Sequence, residues 1–287
     1  MIERPEAHSI PTKAKMVLIG GGSYRKSTKP LFKVGLDLSG KEKPNVLVIP
    51  TPQNKQPDFE KRVGGLNEMI SKEIGANVDV LHNFDEIPDK ETIQEKFDKS
   101  DLIYISGGNT RYAMDVWKKY GIDTMLSNAM QRGKVITGQS AGALAWFKEG
   151  LSDSEKYEIA EGSPWKFTTV KGMGQIDTST TPHYNSTKTP DGRPRSEYFK
   201  DLLSSKSNDN SIEYGLGIDN NAALVALNGL VRVVISKNNV GLHVVGGDRS
   251  ESELEAPKFS SDKSTDHITE NGISWKDFYN QFAKKLK

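Results

Sequence analysis

Residues 134–143 read KVITGQSAGA, in which a short β-prone run leads into the pattern Gly-x-Ser-x-Gly and then into small apolar residues that suit a helix. This order is typical of a nucleophile elbow, a sharp strand-to-helix turn that projects a serine from the edge of a sheet. Gly138 and Gly142 would leave room for the turn, and the N–H of Ala141 would point toward an oxyanion. The alternative is a glycine-rich turn whose serine caps the helix. The apolar strand before Ser140 and the small apolar residues after it favour the elbow.

Other short runs rich in Val and Ile, bounded by Gly, Pro or Asn, are typical of buried strands. With the run at 134–138, they predict strands at 15–20, 44–51, 77–84 and 101–106. Apolar residues at helical spacing predict helices between them, at 58–74, 89–98 and 110–118. Because strands and helices alternate, we expect an α/β fold whose mainly parallel sheet has helices on both faces.

The second half of the chain has a different pattern. Residues 223–235 and 240–245 are predicted to be antiparallel strands, and Asn228-Gly229 is a strong signal for a two-residue hairpin turn. No internal repeat or clear domain boundary interrupts the chain. We therefore expect three parts: a polar lead-in at 1–14, an α/β domain at 15–247, and a polar loop with a C-terminal helix at 248–287.

Composition excludes several classes of protein. The 287 residues contain 39 Lys plus Arg and 38 Asp plus Glu, so the net charge is +1, which argues against a nucleic-acid-binding protein. Cysteine is absent, which removes disulfides, thiolate metal sites and a cysteine nucleophile. There is no apolar run of membrane-spanning length and no secretory signal, so we expect a cytoplasmic protein with no membrane association.

Neither a metal site nor a cofactor is predicted. Asp and Glu are scattered without histidine clusters, which does not fit a metal site. The glycine-rich stretch GGGSYRKS at 20–27 lacks both phosphate-binding patterns, GxGxxG and GxxxxGK[ST]. It is better explained as a turn after the first strand that borders the site.

A second glycine pair, Gly107-Gly108, follows the strand predicted at 101–106 and precedes Asn109. Ligands in open α/β sheets bind at the carboxyl ends of the strands, and free N–H groups there would complete an oxyanion hole. The alternative is an ordinary strand-to-helix turn in which Asn109 is the N-cap.

A serine nucleophile needs a base within hydrogen-bonding reach, and histidine is the usual one. The chain has five histidines: His8, His82, His183, His243 and His267. His8 and His267 sit in polar terminal segments, His82 follows an early predicted strand and His243 lies in the late hairpin. His183 is left, in a polar, loop-like stretch downstream of the elbow. Elimination therefore favours His183 as the base.

Four motifs in this order resemble the family of serine peptidases that contains dipeptidase E and cyanophycinase. They are SGGNT at 106–110, GQSAGA at 138–143, PHY at 182–184 and GIDNNAAL at 217–224. The resemblance covers residues 15–247 and implies a flavodoxin-like fold similar to class I glutamine amidotransferase domains. Those relatives use a cysteine at the elbow, so glutaminase chemistry of that kind is not expected here.

The resemblance implies a role for each matching residue. Ser140 would be the nucleophile and His183 the general base, while Gly108 and Ala141 would donate N–H groups to the oxyanion and Gly107 would shape the turn. It also makes Asn109, Tyr184 and Arg195 candidate substrate contacts. The alternative for Arg195 and its neighbour Arg193 is a pair of solvated arginines at the start of a helix.

The fourth motif departs from the family at the group that orients the histidine. The family commonly has a Glu just after the position of Asp219, and this chain has Asn220 there. Loss of the carboxylate can cost about 10⁴ in rate, yet Asn orients His in papain-like enzymes. Asn220 is therefore the first candidate and Asp219 the second, although an extended segment would point Asp219 to the opposite face.

The function expected from this resemblance is a serine peptidase that hydrolyses short peptides through an acyl-enzyme, with Asp-X dipeptides or acidic amide-linked compounds as substrates. Two alternatives stay open. One is a peptidase-like binding or regulatory protein with little or no activity, and the other is a cyanophycinase- or esterase-type acyl hydrolase. The expected partner is a peptide or small amide substrate, and the sequence leaves monomer and homodimer open.

Overall fold

The computed structural model describes residues 12–23, 28–53, 58–81, 88–160, 162–208, 213–261 and 271–283. Most of the predicted lead-in at 1–14 lies outside these ranges, as do His8, His82 and His267. The helices are α1 (Lys29–Leu38), α2 (Phe59–Glu68, continued by a π-helical segment over Met69–Ile74), α3 (Lys90–Lys99), α4 (Thr110–Tyr120), α5 (Ile122–Gln131), α6 (Ala141–Leu144), α7 (Arg195–Lys206) and α8 (Trp275–Ala283). Short 3-10 turns lie at Thr51–Gln53 and Ser154–Tyr157.

The strands form two sheets. The larger has the order β14-β11-β10-β1-β5-β4-β2-β3, with β15 also paired to β11. Its strands are β1 (Lys15–Ile19), β2 (Asn45–Ile49), β3 (Asn77–Val80), β4 (Leu102–Ile105), β5 (Val135–Gln139), β10 (Ala222–Leu227), β11 (Leu230–Ile235), β14 (Lys258–Ser260) and β15 (Ile273–Ser274). The smaller has the order β13-β12-β9-β8-β6-β7. Its strands are β6 (Phe147–Ser152), β7 (Thr168–Lys171), β8 (Ile176–Pro182), β9 (Tyr214–Ile218), β12 (Leu242–Gly246) and β13 (Glu251–Glu253).

The predicted α/β fold with a mainly parallel central sheet is confirmed. Strands β1, β5, β4, β2 and β3 pair in parallel, and helices cover both of their faces. One apolar cluster contains Phe32 of α1 and Leu66 of α2, and the other contains Phe97 of α3 and Trp117 of α4. The buried indole N–H of Trp117 is satisfied by Thr51 Oγ1 at 3.0 Å. Burial on both faces explains why β1, β2 and β4 are nearly continuous apolar runs, whereas the edge strand β3, NVDV, is partly exposed.

The hairpin at Asn228-Gly229 is also confirmed, since β10 and β11 pair antiparallel on either side of it. Both turn residues have positive φ, +53° and +74°, as the tight hairpin turn requires. The strand predicted at 240–245 exists as β12, but it pairs with β9 in the smaller sheet rather than with β11. The prediction missed this sheet because β9, YGLGI, has two glycines in a run of five residues.

The polar loop predicted at the start of 248–287 contains two short strands, β13 and β14. β13 extends the edge of the smaller sheet and β14 pairs in parallel with β11. β13 is polar and mostly exposed, so backbone pairing holds it, whereas Phe259 of β14 also packs against the apolar cluster that contains Phe32. Each strand has only three residues, too few to show a hydrophobic pattern in the sequence.

Strand register brings four loops to one place. Ile19 at the end of β1 is opposite Gln139 at the end of β5, so Gly20 and Ser140 follow at the same edge of the larger sheet. In the smaller sheet, Pro182 at the end of β8 is opposite Ile218 at the end of β9. The residues after these two strands therefore also meet at a carboxyl edge, where ligands bind in α/β folds.

Candidate active site

Ser140 lies in a sharp turn between β5 and α6. Its backbone has φ +52° and ψ −109°, a strained conformation that costs on the order of 1–3 kcal/mol for a residue with a side chain. Neighbouring glycines make the turn possible. A Cβ on Gly138 would lie 2.2 Å from Gly142 O, and one on Gly142 would lie 2.4 Å from Ile105 O. The N–H of Ser140 donates to Ile19 O at 2.9 Å, so β1 also holds the turn.

His183 follows β8 directly and also has positive φ, +56°. Its N–H donates to Gly20 O at 3.0 Å, which holds its backbone against the loop after β1. Its Nε2 lies 2.8 Å from Ser140 Oγ. Burial of the imidazole, reinforced by the positive charge of Arg195, lowers the pKa of His183 to about 4. The ring is therefore neutral at pH 7, and a bare Nε2 can accept the Ser140 proton.

The second ring nitrogen of His183, Nδ1, is in contact with Asn220 and not with Asp219. Asn220 Oδ1 is 2.7 Å from His183 Nδ1. Since a carbonyl oxygen only accepts, this contact places the imidazole hydrogen on Nδ1 and leaves Nε2 bare toward Ser140. Asp219 points the other way, and its Oδ2 accepts from Gly241 N at 3.0 Å and lies 3.1 Å from His243 Nε2. The second candidate for the orienting group is thus not in contact with His183.

His243 belongs to a separate cluster beside Tyr184. Burial alone would lower the pKa of His243, but the Asp219 carboxylate, with Glu251 and Glu253, raises it above its ordinary value. Tyr184 stacks on the His243 ring with the ring centroids 4.8 Å apart. It is only 3% exposed and packs against Gly217, where a Cβ would lie 2.5 Å from Tyr184 Cδ2. The side chain of Tyr184 is therefore part of the core, and its role as a substrate contact stays a prediction.

The glycine-rich loop after β1 contacts the His183–Asn220 hydrogen bond. A Cβ on Gly21 would lie 2.2 Å from His183 Nδ1 and 2.6 Å from Asn220 Oδ1. Gln139 Nε2 donates to Gly22 O at 3.3 Å, and Gln139 Oε1 accepts from the hydroxyl of Tyr104 at 2.8 Å. Sequence reasoning placed this turn at the border of the site but gave no role to Gly21 or Gln139. The three consecutive glycines were the available signal.

Gly21→Ala is expected to lower kcat about 100-fold, because the methyl group must displace His183 or Asn220 and a misplacement of about 1 Å can cost that much. Its φ of +150° adds strain for any residue with a side chain. The measurement is steady-state kinetics on the best substrate. Gly40→Ala is the control, since its φ is also positive but nothing lies within 4 Å of the added Cβ. Equal kinetics for the two variants would contradict the role given to Gly21.

The other predicted glycine pair lies against Ser140. A Cβ on Gly107 would be 3.1 Å from Ser140 Cβ. Gly108 has φ +142°, and a Cβ there would be 2.0 Å from Pro52 O, so only glycine fits. Ala141 is the first residue of α6, where an amide N–H has no partner within the helix. Gly107 and Gly108 thus lie next to the turn that carries Ser140 and Ala141, and the oxyanion hole at Gly108 and Ala141 stays a prediction.

Asn109 is a helix cap, as the alternative prediction stated. Its Oδ1 accepts from Tyr112 N at 3.1 Å at the start of α4, and its Nδ2 donates to Glu158 Oε1 at 3.3 Å. Glu158 is also paired with Arg111 at 2.5 Å. Both ends of the Asn109 amide are engaged within the chain, and the side chain ties the Gly107-Gly108 turn to the loop after β6. Its role as a substrate contact stays a prediction.

Arg195 is buried at the start of α7 and is not a solvated arginine. Its Nε donates to Thr181 Oγ1 at 3.0 Å, its Nη2 donates to Leu151 O at 2.9 Å, and its guanidinium lies 4.8 Å from the Phe167 ring centroid. Its charge is close enough to lower the pKa of His183. Arg193 pairs with Asp201 at 2.7 Å instead. The alternative of two solvated arginines is therefore wrong for Arg195.

Two charged residues near His183 were not predicted from the sequence. Asp153 and Lys156, in the loop after β6, form an ion pair. Burial alone would raise the pKa of Asp153, but Arg195 and Lys156 hold it below its ordinary value. Lys156 Nζ also lies 4.6 Å from the Tyr157 ring centroid and 5.8 Å from that of Trp165. No local motif marks these residues, because folding rather than sequence spacing brings them to His183.

Among the residues that the structure describes, no group of three or more Asp, Glu or His side chains could hold a metal ion. None of the helices in the described ranges is long and apolar enough to cross a membrane.

The sequence matches the model of peptidase family S51 over residues 16–234. It is 28% identical over 218 residues to the uncharacterized peptidase YgaJ of Bacillus subtilis, covering 75% of this chain and 84% of YgaJ. It is 33% identical over 101 residues to the uncharacterized peptidase Lmo0363 of Listeria monocytogenes, covering 33% of this chain and 45% of that one.

Two solved structures share the fold. A peptidase from an acI-B1 Actinobacterium has a TM-score of 0.63 at 20% identity, covering 94% of this chain and 98% of that one. A putative peptidase E from Listeria monocytogenes has a TM-score of 0.52 at 20% identity, covering 77% of this chain and 97% of that one. At this identity the likeness concerns the fold alone.

Proposed function

This chain belongs to peptidase family S51 and is a serine-type peptidase, and we propose that it hydrolyses short peptides with Ser140 as nucleophile and His183 as general base. In this proposal Asn220 orients His183. The observation that supports it is a pair of hydrogen-bonding contacts that connects Ser140 to His183 and His183 to Asn220. Ser140 Oγ lies 2.8 Å from His183 Nε2, and His183 Nδ1 lies 2.7 Å from Asn220 Oδ1. These distances suit proton transfer from a serine to a neutral, oriented imidazole.

The proposed reaction has two halves. In the first, His183 Nε2 takes the Ser140 proton while Oγ attacks the scissile carbonyl, and the N–H groups of Gly108 and Ala141 hold the oxyanion. The imidazolium then gives its proton to the leaving amine as the C–N bond breaks, which leaves an acyl-enzyme. In the second half, water attacks the acyl group and gives a proton to His183. The C–Oγ bond breaks, Ser140 recovers its proton and the carboxylic acid leaves.

Asn220 changes the electrostatics of this reaction. An amide oxygen can fix the tautomer of His183, but it carries no charge to stabilise the imidazolium. Burial and Arg195 disfavour the imidazolium as well, and Asp153 is the nearby group whose charge favours it. The proposed base is therefore weak, so we expect slower acylation than a carboxylate-assisted base would support.

The pH dependence follows from this setting. His183 must be neutral to act, so kcat/KM falls as pH drops through its pKa, which is about 4. We expect a flat profile between pH 5.5 and 8 and an acid limb near pH 4, measured with circular dichroism at each pH to exclude unfolding. Asn220→Asp places a negative charge beside Nδ1 and is expected to move the limb upward by about one unit or more. An acid limb at pH 6–7 in the wild type would contradict the low pKa given to His183.

We further propose that the substrates carry a carboxylate. Arg195 and Lys156 are positive and Asp153 is negative, so these three groups near His183 leave an excess of one positive charge. An acidic residue next to the scissile bond would be attracted to this excess, as in an Asp-X dipeptide. The guanidinium of Arg195 suits bidentate recognition of a carboxylate, although two of its nitrogens already donate within the chain.

A hydrolysis screen tests the function. The panel contains Asp-Leu, the isosteric Asn-Leu, Ala-Leu, a β-linked Asp–Arg dipeptide polymer and a simple acetate ester, each with wild type and Ser140→Ala. We expect release from Asp-Leu that depends on Ser140 and exceeds release from Asn-Leu. If Ser140-dependent release occurs only from the polymer or only from the ester, Ser140 remains the proposed nucleophile, but the proposed substrate class is wrong. If no compound is cleaved in a way that depends on Ser140, the proposal is wrong.

A further inference from the structure

Asn185 contacts Asn220 on the side opposite His183. Asn185 Oδ1 accepts from the backbone N–H of Asn220 and from Asn220 Nδ2, both at 3.0 Å. Asn185 is two residues after His183 in the turn that follows β8. That turn is closed by Ser186 N donating to His183 O at 2.9 Å. His183 and Asn185 therefore hold the Asn220 amide between them from one short segment.

This arrangement determines which end of the Asn220 amide faces the imidazole. A backbone N–H can only donate, so the Asn185 atom that receives it must be the oxygen. The atom of Asn220 that faces the same oxygen must then be the NH₂ group, because two carbonyl oxygens would repel each other. The Asn220 oxygen is left to face His183 Nδ1, which agrees with the 2.7 Å contact.

The orientation matters because an amide, unlike a carboxylate, has only one oxygen. If Asn220 were flipped, its NH₂ group would donate to Nδ1 and the imidazole hydrogen would move to Nε2. A protonated Nε2 cannot accept the Ser140 proton, so this tautomer is inactive. An Asp or Glu would present an acceptor in either orientation. A site that uses Asn to orient its base therefore needs a second group to orient the Asn.

We propose that Asn185 is a positioning residue that holds the Asn220 amide with its oxygen toward His183 and so keeps the imidazole hydrogen on Nδ1. The kinetic consequence rests on the proposed peptidase function, whereas the consequence for the tautomer does not. A carboxylate in place of Asn220 would make Asn185 dispensable.

The kinetics of Asn185 variants in two backgrounds, the wild type and Asn220→Asp, test the proposal. Asn185→Leu is expected to lower kcat about ten-fold, the effect of losing two exposed hydrogen bonds that orient the Asn220 amide. Asn185→Asp keeps an acceptor and is expected to restore most of the rate. In the Asn220→Asp background, Asn185→Leu is expected to have no such effect, because a carboxylate cannot be flipped. If Asn185 only stabilised the turn, its loss would cost the same in both backgrounds, and that result would overturn the proposal.

Ser186→Ala is the matched control in the same turn. Ser186 Oγ accepts from Lys188 N at 3.2 Å, and this contact does not involve Asn220. We expect kcat to stay unchanged in this variant. A drop equal to that of Asn185→Leu would assign the effect to the turn and not to the amide.

A measurement independent of activity separates this proposal from the proposed function. In protein labelled with ¹⁵N-histidine, long-range ¹H–¹⁵N correlation spectra report which ring nitrogen carries hydrogen, and His183→Gln identifies the signals. We expect a protonated Nδ1 and a bare Nε2 in the wild type at pH 7, and a shift toward protonated Nε2 in Asn185→Leu. An unchanged tautomer in that variant would overturn the proposal even if the enzyme were active. The expected shift in a protein without peptidase activity would uphold it and reject only the function.

Discussion

Ser140→Ala is expected to lower kcat by about 10⁴-fold or more, because loss of the nucleophile removes the covalent path and leaves only binding and the oxyanion donors. The substitution should leave the fold intact. The strained turn depends on Gly138, Gly142 and the backbone of Ser140, and alanine at 140 keeps that backbone. The measurement is product release from the best dipeptide of the screen, under single-turnover and steady-state conditions.

The control for this prediction is Ser127→Ala, a serine in α5 whose Oγ donates to the carbonyl of Asp123 at 3.0 Å. We expect turnover close to that of the wild type in this variant. Both variants should show the wild-type circular dichroism spectrum and a similar Tm. Residual hydrolysis by Ser140→Ala at more than about one hundredth of the wild-type rate would assign the chemistry to another group.

His183→Gln is the second large expected effect, again about 10⁴-fold in kcat, since glutamine cannot take the Ser140 proton. Combining it with Ser140→Ala should lower kcat no further than either change alone, because the two residues act as one unit. Fully additive losses in the double variant would mean that the two side chains act independently, which contradicts the proposed proton transfer.

His243→Gln is the matched control, since His243 is the other histidine in the part of the chain that the structure covers. Its loss removes one partner of the buried Asp219 carboxylate, which keeps its bond from Gly241 N, and is expected to cost about 1–3 kcal/mol of stability. Well below the Tm we expect kcat to stay within about three-fold of the wild type, because His243 does not contact Ser140 or Asn220. A loss of 10⁴-fold in this variant would show that the two histidines had been assigned the wrong roles.

Local chemistry made the central features predictable. The elbow at Ser140 needs glycines at 138 and 142 and a strand before them, and all of these are visible within residues 134–143. The hairpin at Asn228-Gly229 is equally local, because both residues must adopt positive φ. Parallel strands buried on both faces are continuous apolar runs and can be recognised without knowing their partners.

Features that depend on distant partners were not predictable. The smaller sheet was missed because β9 is rich in glycine and its neighbours β8 and β12 are far away in sequence. The alternation of side chains favoured Asn220 over Asp219 as the residue facing His183, but the contact itself depends on how the turn after β9 meets the turn after β8. The burial of Tyr184 beside His183 was not predictable either, because it depends on the packing of Tyr184 against Gly217 and the His243 ring. Asn185 carries no motif, and its contacts with Asn220 appear only in the folded chain.

The central claim is that His183, kept neutral by burial and by the charge of Arg195 and oriented by Asn220, activates Ser140. The most direct test is reaction with a serine-directed phosphonate, followed by intact mass and peptide mapping. We expect one covalent adduct, located on Ser140, in the wild type, and at least about 100-fold slower labelling in His183→Gln. An unlabelled wild type, an adduct on another residue, or equal labelling of the two proteins would contradict the claim.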